Sequence, residues 1–253
     1  MTLRIEQFPV LNDNYGYLVR DEATGKVACI DTPDADAIAA ALDRLGWSLD
    51  LILNTHWHPD HAGGNAALQA RYGAVIYGPP EVTKIAPLDH PVGAGDTVDL
   101  GETRFTVMDV GGHTLQHIAY HDAADAVAFV GDSIFTLGCG RMFEGDPVQM
   151  WGGLSRIAAL PDQTKLYCAH EYTASNARFA LSVDDSPALK ARAEAIFAAR
   201  ERGEWTVPTT VGEEKATNPF LRAPKLAERL GLAGQPDPEV FLAVRRAKDN
   251  FKG

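Results

Sequence analysis

Four side chains able to bind a metal ion lie within six consecutive positions of the chain. Residues 55–61 read THWHPDH, which places His56, His58, Asp60 and His61 in one short segment. Alternate residues of an extended chain face the same side, so we expect His56, His58 and Asp60 to converge, with His61 joining them where a helix begins. Imidazole nitrogens and carboxylate oxygens are common protein ligands of zinc. The HxHxDH pattern arises by accident in only about one random chain per thousand, so it favours a metal site over isolated hydrogen-bonded histidines.

Three further candidate ligands each lie just past a predicted strand. They are His113, Asp132 and His170, and glycines separate the first two from the strands before them. Functional residues in layered folds gather where strand ends meet the loops that follow, and glycine lets the backbone turn sharply there. We therefore expect these three side chains to lie at the same rim as the HxHxDH segment.

The number of candidate ligands predicts two metal ions. A catalytic zinc uses three protein ligands and one open position, whereas five histidines and two aspartates are available here. Two ions about 3.5–4 Å apart, bridged by one carboxylate, account for all seven side chains. We assign His56, His58 and His113 to the first ion, Asp60, His61 and His170 to the second, and Asp132 to both.

The other histidines and the cysteines have structural interpretations. We expect His90 and His121 at the surface. We expect that His117 is not itself a ligand and at most lies behind one. Three cysteines, which lack CxxC spacing and have apolar neighbours, are predicted to be buried free thiols; they are Cys29, Cys139 and Cys168.

Composition and charge describe an ordinary folded chain and exclude several classes of partner. The 253 residues are 45% hydrophobic and 23% charged, with a net charge of −11, which disfavours nucleic acid as a partner. No apolar run approaches the roughly 20 residues of a membrane span. The first residues carry no targeting pattern. We therefore expect a cytoplasmic protein, without a membrane or nucleic-acid partner, and a monomer.

The pattern of apolar residues changes along the chain. Short apolar runs bounded by turn residues predict strands at 27–30, 51–54, 74–77, 105–110, 126–130 and 166–168. Capping residues and periodicity predict helices at 35–45, 65–72, 148–160, 187–202 and 237–248. Because the strand signal ends near residue 173, we predict one domain over residues 1–173 and a smaller helical domain over residues 174–253.

The ligand-type residues resemble, in type and order, those of the metallo-β-lactamase superfamily. Within it, the chain is similar over nearly its whole length to the glyoxalase II (hydroxyacylglutathione hydrolase) family. Four segments carry this closer resemblance: CGRMFEG at 139–145, HEYT at 170–173, the stretch 207–222, and RRAKD at 245–249. The resemblance implies an α+β fold, an αββα sandwich followed by a smaller C-terminal helical domain, with catalysis in the first and substrate binding in the second.

The resemblance also implies the reaction. The implied substrates are S-D-lactoylglutathione and related glutathione thioesters, and the implied products are glutathione and D-lactate or another 2-hydroxy acid, the second step of methylglyoxal detoxification. Hydroxide held by two divalent ions would attack the thioester carbonyl, with Asp60 and Asp132 as catalytic ligands. Zinc is the preferred ion, with iron and manganese as alternatives.

Five residues are implied to bind the substrate: Arg141, Phe143, Tyr172, Arg245 and Lys248. Arg245 and Lys248 lie three positions apart on a predicted helix, so they share a face suited to a carboxylate such as the glycine end of glutathione. Some family members carry Lys and Tyr where this chain has Arg141 and Phe143. Phe143 has no hydroxyl group, so a hydrogen bond from its side chain is excluded.

Other functions remain as alternatives within the superfamily. A glutathione persulfide dioxygenase would hold a single iron with fewer ligands, and a lactonase or β-lactamase would not need a glutathione clamp. A nuclease would need a basic face, which the net charge of −11 disfavours.

Overall fold

The structure, a computed structural model, describes residues 3–253 as two compact units. Of the described residues, the first unit contains 3–109 together with Gln116–Gly131, and the second contains Val110–Leu115 and Asp132–Gly253. The predicted domain boundary after residue 173 lies inside the second unit, and it stays a prediction. In the described part of the chain, no helix is both long and apolar enough to cross a membrane.

The first sheet of the first unit has six strands that lie side by side in chain order. Strands β1 to β3 pair antiparallel, and β3 to β6 pair parallel. Its elements are β1 (Leu3–Val10), β2 (Asn14–Asp21), β3 (Val27–Ile30), α1 (Ala35–Leu45), β4 (Leu51–Leu53), α2 (Pro59–Ala62), α3 (Asn65–Tyr72), β5 (Val75–Gly78) and β6 (His90–Pro91).

A second group of strands in this unit forms an antiparallel meander. It consists of β7 (Thr97–Leu100), β8 (Thr103–Asp109), β9 (Ile118–Asp122) and β10 (Val127–Gly131). One face of this meander packs on the first sheet, since the ring of Tyr17 on β2 lies 5.7 Å from that of Phe129 on β10. The hydroxyl group of Tyr120 donates a hydrogen bond of 2.9 Å to the carbonyl of Asn54, just past β4.

Helices α1 and α3 cover the other face of the first sheet. Ile38 and Leu42 of α1 and Leu68 of α3 pack against strand residues such as Leu18 and Ile52 in one apolar cluster. Both helices have the bounds that the sequence predicts because their ends carry local signals. Asp34 caps the first turn of α1, and Gly46 and Gly73 end the two helices with positive φ, which glycine adopts without strain.

The second unit is mainly helical. Its elements are β11 (Ile134–Phe135), β12 (Gly138–Cys139), α4 (Pro147–Ala158), β13 (Lys165–Cys168), α5 (Thr173–Val183), α6 (Pro187–Glu201), β14 (Thr209–Thr210), α7 (Val211–Thr217), α8 (Ala223–Leu226) and α9 (Asp237–Asp249). Strands β11 and β12 form an antiparallel hairpin, and β13 pairs antiparallel with β14. Helices α5 and α6 pack together with Leu137, which lies between the two strands of the hairpin.

A fully buried carboxylate connects several elements of this unit. Glu214 on α7 accepts hydrogen bonds of 2.6 Å from Arg192 and Thr209, 2.9 Å from the backbone N–H of Leu137 and 2.8 Å from Asn218. The bond to Leu137 fixes the β11–β12 hairpin, which carries Cys139 at its end.

The structure adds strands that the sequence did not predict. The predicted strands include no counterpart of β1, β2, β6, β7, β9, β11 or β12. In β1, charged and turn-forming residues such as Arg4, Glu6 and Pro9 interrupt the apolar pattern. Strand β14 follows residue 173, where no strand was expected, and it has only two residues.

The cysteines are buried free thiols, as predicted. Burial raises the pKa of the Cys139 thiol to about 11 and that of the Cys168 thiol to about 12, and it also raises the pKa of Cys29. All three groups are therefore protonated near neutral pH.

Replacing Glu214 with alanine is predicted to lower the free energy of unfolding by about 3–5 kcal/mol, because the partly buried Arg192 and the buried donors around the carboxylate would lose their partner. Urea denaturation measures this change. Lys215→Ala is the control, since it removes an ion pair with Asp162 between largely exposed side chains and is expected to cost less than about 1 kcal/mol. Equal losses in the two variants would contradict the prediction.

Candidate metal centre

The HxHxDH segment changes from extended chain to helix at its middle. Strand β4 ends at Leu53, His58 occupies the N-cap position of α2, and Pro59 is the first residue of that helix, where proline is favoured. The expectation that Asp60 belongs to the extended segment with His56 and His58 is therefore wrong. Asp60 lies on the helix beside His61, because the helix begins at Pro59, two residues before the start that the alternating pattern predicts.

His56 and His58 face each other through one ring nitrogen each. The distance between His56 Nε2 and His58 Nδ1 is 3.0 Å. His56 is fully buried, and its other nitrogen, Nδ1, lies 3.1 Å from the hydroxyl of Thr55. Two imidazole nitrogens at this separation suit a shared cation, since each would lie about 2.0–2.1 Å from a zinc ion.

His61 is oriented by a carboxylate that follows β3. Its Nδ1 lies 2.9 Å from Oδ2 of Asp31, which leaves Nε2 facing Asp60, whose Oδ2 is 3.6 Å away. Asp31 also accepts hydrogen bonds from the backbone N–H of Thr55, at 2.7 Å, and from its hydroxyl, at 2.8 Å. A carboxylate on the far nitrogen of a histidine fixes the ring and raises its basicity toward a metal.

Asp31 is a functional residue that the sequence interpretation missed. It has a positive φ of 56°, an uncommon conformation for a residue other than glycine. The signal was available, because Asp31 directly follows β3 in the same way that the other candidate ligands follow their strands.

His117 lies directly behind a candidate ligand. This agrees with the sequence analysis, which gave His117 no role closer to the metal than support of a ligand. It is fully buried and stacks on the ring of His56, with ring centres 4.5 Å apart and planes at 19°. Gly131, the residue before Asp132, packs against it: a Cβ atom there would lie 2.8 Å from the His117 ring, and the φ of Gly131 is 49°. Glycine is therefore required at this position.

The second unit supplies three more candidate ligands, which are one aspartate and two histidines close to its carboxylate. Oδ2 of Asp132 lies 3.4 Å from Nε2 of His113, and its Oδ1 lies 3.4 Å from Nε2 of His170. Two ligands at about 2.1 Å from a tetrahedral ion are themselves about 3.4 Å apart. Each oxygen of Asp132 thus has a different histidine at ligand spacing, which is the arrangement expected of a bridging carboxylate.

Both histidines of this unit are held by neighbouring groups. His113 Nδ1 lies 2.8 Å from the backbone carbonyl of Arg141, so Nε2 is the nitrogen that faces Asp132. Gly140 packs so closely on His113 that a Cβ atom there would lie 2.9 Å from Nδ1. The ring of His170 stacks on that of Tyr172, with centres 4.7 Å apart and planes at 3°.

A cavity of about 370 Å³ in the second unit lies beside His113 and Asp132. The five residues implied to bind substrate all line it: Arg141, Phe143, Tyr172, Arg245 and Lys248. Phe143 is 61% exposed and its ring contacts that of His113, with centres 5.2 Å apart. The sequence interpretation did not include Ser175 and Asn176, which also line the cavity and come from the first turn of α5.

The two cationic residues of α9 differ in their surroundings. Arg245 is only 3% exposed, and its guanidinium donates hydrogen bonds to the carbonyl of Cys139 and to Asp249. Lys248 is half-buried, and its Nζ lies 3.2 Å from Oγ of Ser175. Burial, followed by the positive charges of Arg245 and Arg141, lowers the pKa of Lys248 to about 8.

The donor set fits divalent metal ions. Each of the seven candidate ligands is a member of a group of His and Asp side chains that can hold a metal ion: His56, His58, Asp60, His61, His113, Asp132 and His170. The histidines offer nitrogen and the aspartates oxygen, which suits zinc, iron or manganese alike. Hydrogen bonds or ring contacts within each unit orient the rings, as metal ligands require.

Two family models match the chain. The model described as the metallo-beta-lactamase superfamily matches residues 14–210, and the one described as the hydroxyacylglutathione hydrolase C-terminus matches residues 171–251. The hydroxyacylglutathione hydrolase of Erythrobacter litoralis (strain HTCC2594) is 54% identical over 252 residues, covering 98% of this chain and 100% of the relative.

Two solved structures are similar over most of this chain. ETHE1 from Myxococcus xanthus has a TM-score of 0.67 and 27% identity, covering 98% of this chain and 97% of that one. The protein TTHA1623 in a di-iron-bound form has a TM-score of 0.62 and 25% identity, covering 86% of this chain and 100% of that one.

These similarities confirm the predicted fold class, an αββα sandwich of the metallo-β-lactamase type with a helical C-terminal region. Together with the His and Asp groups, they support a dinuclear divalent metal site. The predicted number of two ions is thereby supported.

Asp31→Asn is predicted to weaken metal binding by about 10–100-fold, the usual cost of losing the carboxylate behind a histidine ligand. Competition with a chelator for zinc measures the affinity. Asp34→Asn is the control because Asp34 only caps α1 and asparagine caps helices equally well. An unchanged affinity in a folded Asp31→Asn protein would show that His61 does not need this carboxylate.

Proposed function

The chain belongs to the hydroxyacylglutathione hydrolase family of the metallo-β-lactamase superfamily, and we propose that it hydrolyses S-D-lactoylglutathione and related glutathione thioesters. The products are glutathione and D-lactate or another 2-hydroxy acid, as in the second step of methylglyoxal detoxification. The identity of 54% to a hydroxyacylglutathione hydrolase, spread over both family models, supports this reaction over the more distant activities of the superfamily.

One geometric observation carries the proposal. The two oxygens of Asp132 lie at ligand spacing from two different histidines, and Asp132 also lines a cavity with cationic residues. A bridging carboxylate suits a pair of ions, and the cations suit the carboxylates of glutathione.

The ligand assignment remains the one derived from the sequence. His56, His58 and His113 would hold the first ion, Asp60, His61 and His170 the second, and Asp132 both. The spacing of 3.0 Å between His56 and His58 and that of 3.6 Å between Asp60 and His61 support these pairs. We propose zinc as the ion, because histidine and aspartate in a site with an open position are typical of catalytic zinc.

Two bound divalent ions supply a water of lowered pKa and a Lewis acid for the thioester carbonyl. The chain itself positions the reactants. Asp60 accepts a hydrogen bond of 3.2 Å from Asn14, which holds one of its oxygens in place to orient the attacking water. The leaving group is a thiol with a pKa of about 8.5, so its departure needs no strong general acid. Hydrolysis at this site therefore depends on side chains that bind metal and not on a side chain that donates a proton to the leaving group.

The cavity would hold the glutathione part of the substrate. Arg141 and Lys248 bring positive charge to its wall, in a chain whose net charge is −11. Glutathione carries two carboxylates, and the local positive charge favours their binding at this place. Tyr172 can form a hydrogen bond through its hydroxyl, whereas Phe143 can only offer an apolar surface.

The remaining expectations are also proposals. Three buried free cysteines suit a reducing compartment, so we propose the cytoplasm as the compartment, and we also propose a monomer as the working form. The acidic net charge argues against nucleic acid as a partner. We retain residues 1–173 as the catalytic domain and residues 174–253 as the substrate-binding domain.

His58→Ala and Asp132→Ala are predicted to lower the hydrolysis of S-D-lactoylglutathione by more than about 100-fold, since loss of a ligand should exceed the loss of an outer partner. His90→Ala, at an exposed strand end, is the control and should keep full activity. Thiol release in the purified protein measures the rate. Full activity in either ligand variant would contradict the proposed function.

The same preparation discriminates the alternative functions. Consumption of oxygen with glutathione persulfide would indicate a dioxygenase, and hydrolysis of lactones faster than of thioesters would indicate a lactonase. We expect neither activity to match the hydrolysis of the thioester.

The KM for the thioester is predicted to rise by up to about tenfold between pH 7 and pH 9. Lys248 has a pKa of about 8 instead of its ordinary value near 10.5, so it is charged below pH 8 and loses its attraction for a carboxylate above it. Steady-state kinetics across this range measure the effect. Lys248→Arg should make the KM nearly independent of pH, because arginine stays charged. The same rise in both proteins would contradict the assignment.

A further inference from the structure

Arg245 is almost fully engaged by other groups of its own unit. Its Nη1 donates a hydrogen bond of 2.9 Å to the carbonyl of Cys139, and its Nε and Nη2 donate bonds of 3.1 and 2.8 Å to the same oxygen of Asp249. The guanidinium carbon lies 4.9 Å from the ring centre of Phe220. An arginine held on three sides in this way has a fixed orientation.

The carbonyl that Arg245 binds belongs to a segment that contacts the candidate ligand His113. Cys139 ends the β11–β12 hairpin, and the next two residues are Gly140 and Arg141. Gly140 packs directly on the ring of His113, and the carbonyl of Arg141 lies 2.8 Å from Nδ1 of that ring. We call residues 139–141 the His113 support segment.

The position of the support segment decides the position of His113. A shift of the Arg141 carbonyl would remove the hydrogen bond that directs Nε2 of His113 toward Asp132, 3.4 Å away. The space beside Gly140 is too small to accept a displaced ring, because a Cβ atom there would already lie 2.9 Å from Nδ1. The segment therefore needs an anchor on its other side, and the Arg245 guanidinium is in contact with it there.

We propose that Asp249 is a positioning residue for the metal site. It holds the Arg245 guanidinium in the orientation that lets Nη1 bind the Cys139 carbonyl, and Arg245 in turn fixes the support segment and with it His113. The proposal rests on His113 being a metal ligand, as the proposed function has it. Arg245 then supports the backbone of this segment in addition to lining the proposed substrate cavity.

The carboxylate of Asp249 is well placed to hold Arg245 but not to contact a substrate in the cavity. Its side chain is 42% exposed, and it does not line the cavity. It reaches Arg245 from the next turn of α9, four positions along the helix, where side chains are neighbours. Asp249 carries the same negative charge as the carboxylates of glutathione and would repel them. A direct role of Asp249 in substrate binding is therefore unfavourable.

Asp249→Asn and Asp249→Ala test the proposal, with Glu239→Gln as the matched control. Glu239 lies on the same helix, and its replacement removes the same charge without touching Arg245. Zinc affinity is measured by competition with a chelator, and kcat and KM are measured with S-D-lactoylglutathione. Asp249→Glu is the conservative variant, since its exposed position leaves room for a longer carboxylate.

We expect both Asp249 variants to lose about 10–100-fold in zinc affinity, as is usual when the support of a metal ligand is removed. A lowered kcat at saturating substrate should accompany this loss. Asp249→Glu should largely restore both the zinc affinity and kcat, and Glu239→Gln should change neither. A merely structural role for Asp249 would lower the melting temperature and leave the affinity of the folded protein unchanged.

Three results would overturn the proposal. They are an unchanged zinc affinity in the folded Asp249 variants, a rise in KM alone, and an equal loss of affinity in Glu239→Gln. The wild-type protein is assayed first, which separates this proposal from the proposed function. If the wild type binds no zinc and releases no thiol, the proposed function fails and this inference with it. If the wild type is active and the Asp249 variants bind zinc as tightly, only this inference fails.

Discussion

The orientation of the histidine rings is the constraint on which the metal site depends. An imidazole has two nitrogens, and a ligand must direct one particular nitrogen at the ion while the other is held by a suitable partner. In this chain Asp31 faces Nδ1 of His61, Thr55 faces Nδ1 of His56, and the Arg141 carbonyl faces Nδ1 of His113. Each partner sits in a loop that directly follows a strand or a hairpin. The fold thus fixes the ligands by fixing the ends of its strands.

The scaffold behind those loops consists of packed sheets in the first unit and a polar network in the second. In the first unit, contacts such as that between Tyr17 and Phe129 hold the two groups of strands face to face, and helices cover the outer side. In the second unit, fully buried Glu214 binds the backbone at Leu137 and so holds the hairpin that leads to Cys139. The two units use different means for the same purpose, which is to keep short loops from moving.

Local signals made part of this predictable from the sequence. The HxHxDH pattern, the ligands that follow strands, and the bounds of α1 and α3 all depend on residues close together in the chain, such as Asp34 and Gly46. The position of Asp60 was misjudged because the onset of α2 at Pro59 competes with the alternating pattern of an extended chain. The contact of Arg245 with Cys139 could not be predicted, because it joins residues 106 positions apart and leaves no local pattern.

We propose that seven side chains hold two divalent ions that serve thioester hydrolysis. The most direct measurement titrates zinc into metal-depleted protein and records both the bound metal and the release of thiol from S-D-lactoylglutathione. We expect saturation at about two ions per chain, with full activity only when both are present. Saturation at a single ion with full activity, or hydrolysis that continues without any metal, would contradict it.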